Sequence, residues 1–175
     1  MTLLQNLFGV APGRAYGSDA QTVRRIGKAL ERLPPERARY LACFAFVLSR
    51  VANADLDISA VETKEMERLL RERGELPDAE AALVVEIAKN QNRLFGGTEN
   101  FVVTRELAKS LDADGRDAML RCLFEVAAAD QVISVEEDAE LRKISAELGY
   151  SHKEFVAIRA EYGDRRAVMK GLKKK

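Results

Sequence analysis

Two short acidic segments carry the residue types best suited to chemistry. Asp55, Asp57 and Glu62 lie in A-D-L-D-I-S-A-V-E, and Asp130 and Glu137 lie in A-D-Q-V-I-S-V-E-E. Glu136 and Asp138 add carboxylates to the second segment. Clustered carboxylate oxygens are hard donors that suit calcium, magnesium or manganese rather than zinc or copper. The calcium-hand spacing is not met. Counted from Asp55, the position reserved for Gly holds Ala60 and the position reserved for the bidentate Glu holds Met66; counted from Asp130, the latter holds Leu141. A cation site here must have a different design.

The same residues have a structural reading. Ser59-x-x-Glu62 and Ser134-x-x-Glu137 are capping boxes, in which the Ser hydroxyl accepts from the third helical N–H and the Glu accepts from the Ser N–H. Ile58 and Ile133 precede the caps, where an apolar residue can close a hydrophobic staple. Ser151-x-x-Glu154 is a third capping box outside these segments, so the pattern by itself requires no ligand. Asp55 and Asp130 can accept from loop amides. Caps and cation ligands are both open on spacing alone, and they are compatible.

Other chemistries find little support. His152 is the only histidine and follows a cap position, where it should be exposed. It cannot form a His-rich zinc site, and no Ser-His-Asp set can be placed without it. Gly96-Gly97 is an isolated break and not a phosphate-binding loop. Cys43 and Cys122 sit in apolar helical patterns and read as buried, reduced thiols. The chain is expected not to be an enzyme.

The elements that must position the acidic segments are helical. The chain has 175 residues, enough for one domain with its own core, and 47% apolar against 32% charged residues is a globular balance. Strand-like alternation is absent and good helix formers dominate. Helices are expected over about 19–33, 35–54, 59–74, 78–94, 98–111, 112–129, 134–148 and 151–162, with a short one over Leu3–Phe8. The second, with Leu41, Phe44, Ala45, Leu48, Val51 and Ala52, is apolar on more than one face and should be central. The fold class is all-α, a compact bundle of about seven to nine helices.

Net charge is zero but segregated: +5 over residues 1–50, −11 over 51–164 and +6 over 165–175. An acidic body is unsuited to nucleic acid over its main surface. The basic tail 165–175 could make weak contact with a membrane surface. No basic stretch precedes a long apolar run at the N-terminus, so a cytoplasmic location is expected. No apolar run is long enough to span a bilayer.

An internal repeat organises the chain. Residues 48–74 align without gaps to 123–149, an offset of 75, with 11 identities in 27 positions. The expected unit is a helix, a short A-D-x-x-I-S loop and a second helix, with copies over about 36–94 and 112–162 in one domain spanning 19–164. Residues 1–18 would form a short helix and loop before it.

The repeated A-D-x-x-I-S-x-x-E, with its Leu/Ile-rich helix and terminal Gly, resembles the TerB (tellurite resistance) family. That family includes the N-terminal domain of a DnaJ-type membrane co-chaperone. The closest likeness is RDAMLRCLFEVAAADQVISVEEDAELRKISAELGYSHKEFVAIRAEY, residues 116–162, and two-repeat TerB-like proteins are the nearest type. The resemblance covers about 36–162. It implies an all-α bundle, a suspected divalent-metal site on Asp55, Asp130, Glu62 and Glu137, no established catalytic activity and a stress-related role. Where the family has Gly after the loop Asp, this chain has Leu56 and Gln131. Asp57 offsets that change in the first loop, and Val132 does not in the second. The expectation is a non-enzymatic, metal-dependent binding protein with an unidentified protein partner. The alternative is a structural adaptor or co-chaperone-like module without metal.

Overall fold

The computed structural model describes residues 18–52, 60–90, 100–129 and 132–165. Among these residues the chain is all-α, a compact bundle of eight α-helices without strands. The helices are α1 (Ser18–Glu31), α2 (Pro35–Val51), α3 (Ala60–Glu72), α4 (Asp78–Lys89), α5 (Asn100–Lys109), α6 (Ala113–Ala127), α7 (Val135–Glu147) and α8 (His152–Glu161), and a 3₁₀ turn follows at Gly163–Arg165. Several helices stop short of their expected ends, most clearly α2 at Val51 and α4 at Lys89. The expected Leu3–Phe8 helix, the Ser59 cap, the Gly96-Gly97 break and the tail beyond Arg165 lie outside the described residues.

The central position of α2 follows from its sequence. Pro35 takes the first helical position, where its missing N–H removes no bond and its fixed φ suits a helix. The run Leu41–Leu48 is then buried without interruption. A helix apolar all round must be covered all round, and α2 packs against α1, α4, α5, α6 and α7. The other helices bury one stripe each. Met66, Leu69 and Leu70 of α3, Leu141 and Ile144 of α7, and Phe155 and Ile158 of α8 face the core. Phe124 stacks on Tyr162 with ring centroids 4.8 Å apart. At the offset of 75, α3 and α7 begin and end at corresponding residues, Ala60 with Val135 and Glu72 with Glu147.

The two helix exits differ. After α7, Gly149 has φ +95° and the Tyr150 N–H donates to the Ser145 carbonyl at 3.0 Å, a left-handed cap that favours Gly. After α3 the left-handed residue is Glu75, at φ 52°, and the Leu76 N–H reaches the Leu70 carbonyl at 3.2 Å. Gly74 is needed there for space: a Cβ would lie 2.7 Å from the Leu70 carbonyl oxygen. The first exit is thus one residue longer, and the correspondence continues at an offset of 74, pairing Pro77 with Ser151 and Glu80 with Glu154.

Candidate functional site

The second acidic segment is described from Val132 onward. Ser134 caps α7: its hydroxyl accepts from the Glu137 N–H at 3.1 Å, and the Glu137 carboxylate accepts from the Ser134 N–H at 2.8 Å through Oε2. Ser151 and Glu154 repeat the arrangement at α8, where bonds to the Ser151 hydroxyl and N–H hold the Glu154 carboxyl below the usual carboxylate range. The expected staple does not form at α7. Its partner position is Asp138, a carboxylate, and Ile133 is instead buried in the main core. Asp138 accepts a forked pair of bonds from Arg159 of α8, with Nε–Oδ1 at 2.7 Å, and so joins α7 to α8.

The predicted ligands are thus only partly placed. Asp55, Asp57 and Asp130 lie outside the described residues, and Glu62 falls in the first turn of α3. Glu137 is a cap whose Oε1 has no protein partner among the described residues. Asp138 is held by Arg159, and Glu136 is exposed. No group of three or more His, Cys, Asp or Glu able to hold a metal is found among the described residues. They do not complete a donor set by themselves.

One turn beyond Glu137, the structure assembles a charged cluster that sequence reasoning missed. Arg50, at the end of α2, has a side chain only 5% exposed. Its Nε donates to Glu140 at 2.7 Å, its Nη1 to Glu147 at 2.5 Å and to the Thr104 hydroxyl at 2.7 Å, and its Nη2 to Glu147 at 3.2 Å. The guanidinium therefore ties α2 to α5 and α7. Burial raises the Glu140 pKa, but the bonds from Arg50 and Lys143 outweigh it and hold the group below the usual carboxylate range. Glu140 and Glu147 correspond to Glu65 and Glu72 in the first copy, where both carboxylates bond Arg68 of their own helix. Position 50 corresponds to Glu125, which faces Arg73 at 4.0 Å. The identities at 65/140 and 72/147 are thus carboxylates answering arginines from different directions. A lone Arg in the apolar run LACFAFVLSRVA was the available signal, because a charge on a buried helix needs partners.

The thiols are structural, as expected. Cys43 and Cys122 are buried and free, and burial pushes each up to about 12. A thiol held protonated is a poor nucleophile and metal ligand. His152 is exposed, as its cap-adjacent position implied. No described helix is long and apolar enough to cross a membrane.

Among the described residues the fold defines a class, the compact all-α helical bundles. Residues 40–160 match the family described as tellurite resistance protein TerB, and the chain belongs to that family. Neither the curated proteins nor the solved structures include a match to it.

Proposed function

We propose that the chain is a non-enzymatic TerB-family binding protein of a tellurite-type stress response, and that a divalent cation acts at its acidic corners. The carrying observation is at Glu137. Its Oε2 closes the capping box while Oε1 keeps no protein partner among the described residues, so capping and ligation can coexist on one carboxylate. With Asp130 seven residues earlier, and Asp55, Asp57 and Glu62 in the other segment, calcium, magnesium or manganese fits the donor chemistry. A duplicated unit gives two such corners in one domain. The cation would bridge the carboxylates of each corner and present it to an unidentified protein partner.

A second reading is favoured by the bonds already made. Glu137 caps α7, Asp138 holds Arg159, and Glu140 and Glu147 hold Arg50. In that reading the corners only fold the chain, and a structural adaptor or co-chaperone-like module works through a helical face without metal.

Thermal melts of the chelated full chain with calcium, magnesium or manganese separate the two, with Glu137→Gln and Asp130→Asn beside the native chain. Ligand binding to the native state alone stabilises it by about 2.7 kcal/mol at a hundredfold excess over Kd. A cation-specific rise in Tm that both variants lose is the expected result. Gln can still accept from the Ser134 N–H, so near-native melting of the variants with no response to any ion in any chain would leave only the capping role.

A further inference from the structure

We propose that α1 is an electrostatic docking edge for an anionic lipid surface. Arg24, Lys28 and Arg32 follow one another at four-residue spacing on α1 and the turn that ends it. Such residues share one helical face and stand roughly 6 Å apart along the axis. All three are exposed, and their side chains have no ion pair or hydrogen bond among the described residues. The contrast with neighbouring arginines is sharp. Arg25 bonds Glu86, Arg37 bonds Glu80, Arg39 bonds Glu106 and Arg50 bonds Glu140. Lys64, Arg142 and Lys153, also exposed and unpaired among the described residues, stand singly on α3, α7 and α8.

The kind of partner follows from what surrounds the row. The opposite face of α1 is engaged: Ile26 and Leu30 are fully buried, and the helix packs on α4 and α2. It has no apolar face left to insert into a bilayer, so contact must be made through charge. Among the described residues the large apolar side chains that are exposed, Val135 and Val156, belong to α7 and α8 and not to α1. A folded protein partner usually relies on aromatic and Arg anchors desolvated together in a packed patch, and this row has no aromatic side chain among its exposed cations. A layer of laterally mobile anionic headgroups needs none and can adapt to a straight line of cations. The three cations of the row supply the local attraction that an anionic leaflet answers.

The test is co-sedimentation of the full chain with phosphatidylcholine vesicles, with and without phosphatidylserine, at low and high salt. The expected result is salt-sensitive binding that requires phosphatidylserine. It should fall roughly a hundredfold in Arg24→Gln/Lys28→Gln/Arg32→Gln, at about fivefold per cation near an anionic leaflet. The charge-matched variant Lys64→Gln/Arg142→Gln/Lys153→Gln should bind as the native chain does, and so should Arg24→Lys/Arg32→Lys. Absence of phosphatidylserine-dependent binding would overturn the proposal. So would undiminished binding of the α1 variant, which would place the contact elsewhere, as on the tail. Equal loss in both charge-matched variants, or tighter binding to duplex DNA than to vesicles at the same salt, would also overturn it.

Discussion

Arg50 shows how much of this molecule depends on single buried charges. The side chain is nearly inaccessible, and three partners from two other helices satisfy it. Removing Arg50 takes the guanidinium away from Glu147, and breaking a fully buried pair in this way costs about 3–5 kcal/mol. Arg50→Met should therefore lower stability by about 3 kcal/mol in urea unfolding. Arg50→Lys should lie between, because one ammonium cannot reproduce the forked geometry. Glu140 adds a pH dependence of definite sign. Burial raises its pKa, Arg50 and Lys143 lower it further, and the net shift is downward. A depressed native pKa contributes stability above the unfolded value of about 4.3, lost as pH falls through the native value. In Glu140→Gln, unfolding free energy measured against pH should fall less steeply below about pH 4.3 than in the native chain. An unchanged slope would mean that Glu140 does not carry this linkage.

At the scale of elements, capping and glycine placement explain where helices stop. Ser134 and Ser151 each close a reciprocal box, and Asp112 accepts from the Gly115 N–H at 2.8 Å to start α6. The two Ser caps were legible, because Ser-x-x-Glu supplies the oxygens that the first turn lacks, and Asp112 does the same with one carboxylate. The glycines were not interchangeable in the way their alignment implied. Gly149 occupies a left-handed conformation, Gly74 avoids a clash with Leu70, and Gly27 has open space around its Cβ position inside α1. Gly27→Ala should raise stability by about 0.5–1 kcal/mol by removing the entropic cost of Gly in a helix. Gly149→Ala should lower it by about 1 kcal/mol or more, since φ > 0 strains a residue with a Cβ. Thermal melts of the two variants should therefore shift in opposite directions; shifts of one sign would contradict the assigned backbone roles.

For the whole molecule, the core is one continuous cluster that runs from Ile26 to Tyr162 and encloses both cysteines. Cys43 on α2 and Cys122 on α6 should stay unmodified by a thiol reagent at neutral pH until the chain opens, because both are buried and pushed up to about 12. Their labelling rates should then follow the global unfolding equilibrium and rise together in Arg50→Met. Fast labelling of one cysteine alone in the native protein would show local opening of its helix. The sequence by itself determined the all-α class, the centrality of α2, the order of the helices, the caps and the buried thiols. Each of these depends on local periodicity or on a residue's bond to its own neighbours. Tertiary structure alone decided which carboxylates face cations. Glu140 and Glu147 look like Glu65 and Glu72 in the sequence, yet one pair holds Arg50 across the bundle and the other holds Arg68 along its own helix. Asp138, which read as a candidate ligand, is joined to Arg159 for the same reason. Charges find partners by distance in space, and helical periodicity shows which face a carboxylate occupies but not what stands opposite it.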